Sequence, residues 1–442
     1  MKKNIILLVI LYFFLSLIIL HAQSAEIYFN LGNTKYEAKD YQGAINDYNK
    51  AIELNPMFAE AYYKRGISKL KVDSNKEAIT DFNKAIELNP QYADAYYYRG
   101  TAKINLNDKE SAITDYSKAL EINPLYFEAY NNRGNLKSDL GDIQGAIADF
   151  NKAIDINPLY AEAYCNRANN KSNLNDLNGA IEDLNKAIEL NPKLASIYYN
   201  RGIVKKKVGD FNGAIADYNE AIEYNSHYIE AYCNRGITKM LLEDKQGAIA
   251  DFNKALEINP NFDKAYYNMG IAKYDLGDKQ GAITDYNKAI EINPKYNQSY
   301  VGRGNAKGYL GDIQGAISDY SKAIEINPKY GDAYYNRGYT KYELGDKQGA
   351  IADYNKAIEF IPNNSEAYCN RGAAKNDLSY FKEAITDYSK AIEINPKFGN
   401  AYYNRGIAEA NLNNIQSACL DWRKASDLGY KDALDLIEKY CK

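Results

Sequence analysis

Ten prolines, Pro56, Pro90, Pro124, Pro158, Pro192, Pro260, Pro294, Pro328, Pro362 and Pro396, stand 34 residues apart, or 68 across Ser226. A fixed period in this range means that one short supersecondary unit is stacked on copies of itself. Counted from Ala25, twelve repeats begin at residues 25, 59, 93, 127, 161, 195, 229, 263, 297, 331, 365 and 399. The fourth position is Tyr in all twelve, from Tyr28 to Tyr402, and the eighth is Gly in eleven, with Ala168 the exception. Ala recurs at positions 20 and 27 in every copy, as in Ala44 and Ala51. Positions 4, 8 and 11, then 20, 24 and 27, have the spacing of one helical face, with small residues where two helices approach closely. Each repeat therefore reads as a helical hairpin. Pairs such as Gly141-Asp142 and Gly277-Asp278 make the turn, and Asn-Pro closes the second helix because proline cannot continue it.

These residues resemble the tetratricopeptide repeat family, whose pattern places an aromatic, Leu-Gly, Tyr, Ala, an aromatic, Ala and Pro at the same offsets. The resemblance implies an all-α fold, a right-handed superhelical solenoid of twelve helix-turn-helix hairpins over residues 25–430. It also implies that the first helix of each pair lines a concave groove. A last helix, Lys431 to Tyr440, would cap the end over residues 431–442, with Ala433, Leu434, Leu436 and Ile437 available to pack.

The chain departs from the family at three positions. Position 7, usually Leu, is Arg in ten repeats, with Leu31 and Met269 the exceptions, and position 11 is Lys in eleven. Position 23 is Asp in all twelve, from Asp47 to Asp421. A hairpin that turns near position 15 sets position 23 opposite position 7, which predicts pairs such as Arg65 with Asp81, Arg201 with Asp217 and Arg337 with Asp353. The alternative is a basic stripe for an anionic ligand, which an acid in every copy disfavours. Such pairs fix register more than they add stability.

If positions 4, 7, 8 and 11 face the partner helix, positions 2, 5, 6, 9, 12 and 13 project into the groove that the resemblance implies. Position 6 is Asn in nine copies: Asn30, Asn132, Asn166, Asn200, Asn234, Asn268, Asn336, Asn370 and Asn404. An amide donates and accepts at once, so a spiral of Asn can bond the main chain of an extended peptide without reading its sequence. This is similar to the asparagine ladder in the tetratricopeptide groove of protein O-GlcNAc transferases; the other reading is that Asn simply suits a solvated helix face. Position 5 adds aromatic surface at Phe29, Tyr63, Tyr97, Tyr199, Tyr267, Tyr335 and Tyr403. Position 2 is mostly acidic, as at Glu60, Glu128, Glu162, Glu230 and Glu366, which favours a basic or neutral segment over an acidic tail. Cys165, Cys233 and Cys369 share position 5, too far apart to bridge one another. Cys419 and Cys441 flank the turn at Gly429-Tyr430, which leaves two readings, an end-staple disulfide or two independent thiols. Gly302, Gly304, Gly308 and Gly311 make repeat nine the expected place of easiest bending.

Composition narrows the function classes. Lys plus Arg number 54 against 58 Asp plus Glu, a net charge of −4, with no basic run for nucleic acid. Of two histidines, His21 lies in the leader and His227 stands alone, which leaves no His cluster for a metal or for acid–base work. No nucleotide loop or nucleophile–base pair appears, so the expectation is a non-enzyme without cofactor. Lys2 and Lys3 before the uncharged stretch Ile5 to Leu20 read as a signal peptide over 1–24, cleaved after Ala22 or Ser24, with an uncleaved N-terminal anchor as the alternative. The expected product is exported, periplasmic or secreted, touches membrane only through an uncleaved leader, and is a monomer. Its expected function is a scaffold that binds a protein or extended peptide in the groove, with the organisation of an envelope assembly as its expected setting. A structural spacer or self-associating rod is one alternative, opposed by the polar last helix. A glycan-binding groove is another, favoured by the Tyr at position 5.

Overall fold

The computed structural model describes residues 23–441 together with Tyr12 and His21. The expected leader thus lies, but for its end, outside the described residues. Those described are helices and turns throughout, without a strand. No helix among them is long and apolar enough to cross a membrane. The chain divides into two compact units, one ending at Tyr224 and the other starting at Asn225.

The first helix covers 23–37. From there each repeat has a helix A over positions 1–13 and a helix B over positions 17–30, as in Ala93–Asn105 with Lys109–Ile122, or Ile229–Leu241 with Lys245–Ile258. Position 15 has positive φ in all twelve repeats, from 58° at Asp73 to 92° at Gly277. That left-handed residue lets the next N–H turn back onto helix A, as Asp142 does to the Lys137 carbonyl at 2.8 Å. The Asp142 carboxylate then accepts the Gly145 N–H at 2.9 Å and caps helix B. At the other junction Asn55 ends the helix, its side chain accepting from Met57 N–H at 3.1 Å, while Pro56 has no N–H to continue the ladder.

The core is a row of small contacts rather than a central mass. The alanines at positions 20 and 27 are fully buried, as are the large side chains of Tyr48, Phe82, Tyr116, Phe150 and Trp422 at position 24. Each of these rings lies on a position-8 glycine; a Cβ on Gly66 would stand 2.7 Å from the Phe82 ring. Position 4 departs from the expectation. Its tyrosines, such as Tyr62 and Tyr96, are only half-buried, and the small residues at position 3, Ala61 and Ala95, take the sealed place. The reason is that a stacked helix A packs on two neighbours, its own helix B and helix B of the repeat before, so its buried face is wider than that of an isolated hairpin.

The last helix is Ala433–Tyr440, shorter than expected because Lys431 and Asp432 remain in the turn. Ala433 is buried and Leu436 and Ile437 pack on the Trp422 cluster, whereas Leu434 is half-exposed and packs less than expected. A disulfide joins Cys419 to Cys441 and ties this helix to helix B of repeat twelve.

Candidate functional site

Ten Arg–Asp pairs run along the described repeats, and a Lys joins nine of them. Arg65 grips Asp81 with two bonds, Nε to Oδ2 at 3.0 Å and Nη2 to Oδ1 at 2.6 Å, and Lys69 meets the same carboxylate at 2.7 Å. Arg201 with Asp217 and Arg337 with Asp353 repeat the two-pronged geometry. The carboxylates are buried, Asp81 and Asp217 each 2% exposed, and the forked guanidinium meets both oxygens at once. The third guanidinium nitrogen goes elsewhere: Arg65 Nη1 donates to Asn49 Oδ1 of the preceding repeat at 2.7 Å, and Arg133 to Ser117 Oγ at 3.0 Å. The Tyr at position 4 lies under the same group, with the Arg65 guanidinium carbon 5.3 Å from the Tyr62 ring centre. One arginine thus ties its own hairpin together and links it to the one before. The sequence reading missed position 25, although Asn or Ser stands there in eleven copies.

The position-6 asparagines lie on helix A, half-buried except for the exposed Asn30. Several reach back to the preceding repeat. Asn132 donates to Tyr97 Oη at 2.9 Å, Asn166 to Asn131 Oδ1 at 2.9 Å, Asn370 to Tyr335 Oη at 3.1 Å, and Asn336 to Asn305 Oδ1 at 3.2 Å. Asn234 and Asn268 donate to carbonyls one turn back, at 3.1 and 2.8 Å, and Asn404 to Asn400 at 2.6 Å. Asn166 and Asn200 line one cleft of about 530 Å³ between repeats five and six, beside Glu162, Cys165, Leu194 and Ile197.

Position 5 does not offer the open aromatic surface expected of it. Tyr63 is buried, its ring 4.7 Å from Tyr92 and 6.3 Å from Phe82. Tyr97 is packed in the same way against Tyr126 and Tyr116, Tyr267 against Tyr296 and Tyr286. Tyr199 lies on Tyr218, Tyr335 on Tyr354 and Tyr403 on Tyr430. The ring faces are taken by positions 24 and 34, and only the phenol tips serve the surface, as where Tyr335 donates to Glu366 at 3.1 Å. Burial raises the Tyr97 and Tyr335 phenols above their ordinary value, so they stay protonated. Cys233 and Cys369 are buried, and burial pushes the Cys165 and Cys369 thiols up to about 12, which keeps them from acting as thiolates.

Comparison with known proteins finds matches along most of the chain. Models described as TPR repeat match residues 32–72, 74–107, 173–209, 205–242, 304–345 and 376–413. Models described as tetratricopeptide repeat match 93–126, 127–160, 229–262, 263–296 and 331–364. None of the curated proteins matches the chain. Among solved structures, yeast Tom70 is 19% identical, with 95% of this chain and 96% of that one covered and a TM-score of 0.44. YrrB, described as a TPR protein with an unusual peptide-binding site, is 24% identical over 42% of this chain and 95% of its own, at a TM-score of 0.36. The Cut9–Hcn1 hetero-tetramer of APC/C is 13% identical over 95% and 97%, at 0.48.

Proposed function

The chain belongs to the tetratricopeptide repeat family, a family of protein-interaction scaffolds, and from that premise we propose that it is a non-catalytic scaffold holding an extended segment of a partner protein along helix A. The observation that carries this reading is the asparagine row, in which Asn166 and Asn200 line a single cleft of peptide-side-chain size. Asn166, anchored from behind by Asn131 of the preceding repeat, is pre-oriented, so it loses little side-chain freedom when a peptide main chain arrives. With chemistry spread over equivalent positions, the site suits grip along a length rather than turnover at one point. The same reading has the protein exported, monomeric and engaged in envelope assembly. A glycan groove is less well supported, because the position-5 ring faces that would stack on a sugar are already covered.

The test is selection of peptides from a random display library by the full chain, followed by titration of the tightest. Changing Asn166 and Asn200 to Ala should weaken binding roughly tenfold, about what two hydrogen bonds contribute, with helicity unchanged. Changing the exposed Glu182 and Glu189 to Ala should leave it unaffected. Equal affinity for all three proteins would dismiss the asparagine row as the binding surface.

A further inference from the structure

Repeat nine breaks a pattern that its neighbours share. In repeats eight and ten position 12 is Tyr and position 17 is Lys, and the lysine lies on the ring: Lys279 Nζ is 3.3 Å from the Tyr274 centre and Lys347 Nζ is 3.4 Å from that of Tyr342. In repeat nine the same positions are Gly308 and Ile313, so both the ring and the ammonium are missing. A Cβ on Gly308 would meet only Ala316, at an ordinary 3.6 Å. The space opens as a cleft of about 470 Å³ walled by Tyr274, Tyr309, Tyr320 and Tyr339, with Glu343 the one charged residue among its lining. Tyr309 and Tyr339 stand 71% and 50% exposed, and Lys279 Nζ lies 4.7 Å from the Tyr309 ring centre as well as on Tyr274.

We propose that this cleft is a socket for the lysine or arginine side chain of a bound peptide. The proposal rests on the groove-binding reading above and names the residue class that repeat nine selects. Tyrosine faces attract a cation, most strongly where water is excluded, and the apolar stem of Lys or Arg packs along the rings while the charge reaches a carboxylate. The flanking repeats display that contact within the chain itself, with Lys279 and Lys347 seated on tyrosine rings. The exposed rings of Tyr309 and Tyr339 and the Glu343 carboxylate complement a cation and disfavour an acidic side chain; Tyr320 is buried, and Lys279 lies on Tyr274 and Tyr309 from outside the lining.

The experiment passes a random library of terminally blocked ten-residue peptides over three immobilised full-length proteins: the native chain, Gly308→Tyr, and Tyr309→Ala with Tyr339→Ala. Gly308→Tyr fills the cleft with the residue that repeats eight and ten carry and leaves net charge unchanged, so general attraction of cations to an acidic protein cancels. Equal helicity and melting temperature qualify the variants. Peptides retained by the native chain should be about fivefold richer in Lys and Arg at one position than those retained by either variant, as about 1 kcal/mol of cation–ring attraction gives. If the native chain retains peptides with the same Lys and Arg content as Gly308→Tyr, the socket is overturned while groove binding stands. If the native chain retains no peptide above a blank matrix, both readings fall together.

Discussion

Asp285, like Asp47, lacks the arginine that its ten other counterparts hold, and pH can read the difference. Met269 occupies the place of the arginine, so Asp285 takes Lys273 at 2.8 Å and no guanidinium. Burial pushes its carboxyl above the usual range, with the Lys273 ammonium opposing. A folded-state value above the unfolded one, about 3.9, means that the fold prefers the protonated form. Its contribution to stability is therefore complete below the unfolded value and is lost as pH rises through the folded one. Asp285→Asn removes that loss, so its melting temperature relative to the native chain should climb between pH 4 and 7. Asp319→Asn, which strips Arg303 and Lys307 of their shared carboxylate, should instead cost about 3 kcal/mol at pH 7. Backbone strain gives a second test. Glu243 holds φ 61° at its turn, where repeats such as eight carry Gly277. Glu243→Gly should stabilise by about 1 kcal/mol, measured as the shift in unfolding midpoint.

At the scale of the helix, the four glycines of repeat nine divide by what surrounds them. A Cβ on Gly302 would come 2.6 Å from the Tyr286 ring and one on Gly304 2.7 Å from that of Tyr320, Gly311 holds a φ of 88°, and a Cβ on Gly308 would make only an ordinary contact with Ala316 at 3.6 Å. Gly308→Ala should therefore raise the melting temperature by the helix-propensity difference, about 1 kcal/mol. Gly304→Ala should lower it through overpacking, by roughly 1–3 kcal/mol. A repeat that bent merely because it is rich in glycine would respond alike to both changes. The hairpins, their turns and the Arg–Asp spacing of 16 residues are legible in the sequence, because they follow from local periodicity and one fold-back. The buried fate of Tyr63 is not, because it depends on Tyr92, which belongs to the junction with the following helix. The asparagine row is legible as a row, but its anchoring from behind needs the stacking distance between repeats, as the Asn166 to Asn131 bond shows.

Among the described residues, the joint between successive repeats recurs with the same parts, a guanidinium Nη1 donating to an Asn or Ser of the repeat before. Excising residues 127–160 would bring Arg167 to Ser117, the acceptor that Arg133 now uses. The shortened chain should fold with unchanged helicity per residue and a melting temperature only a few degrees lower, since each repeat is stabilised chiefly by its nearest neighbours. Removing 17 residues instead would set a helix B against a helix B and should abolish the cooperative transition. Standard couplings make reach an adjustable quantity. Adding or losing a repeat changes how many main-chain contacts a captured strand can make, and hence how long it stays bound, without any new surface having to be invented.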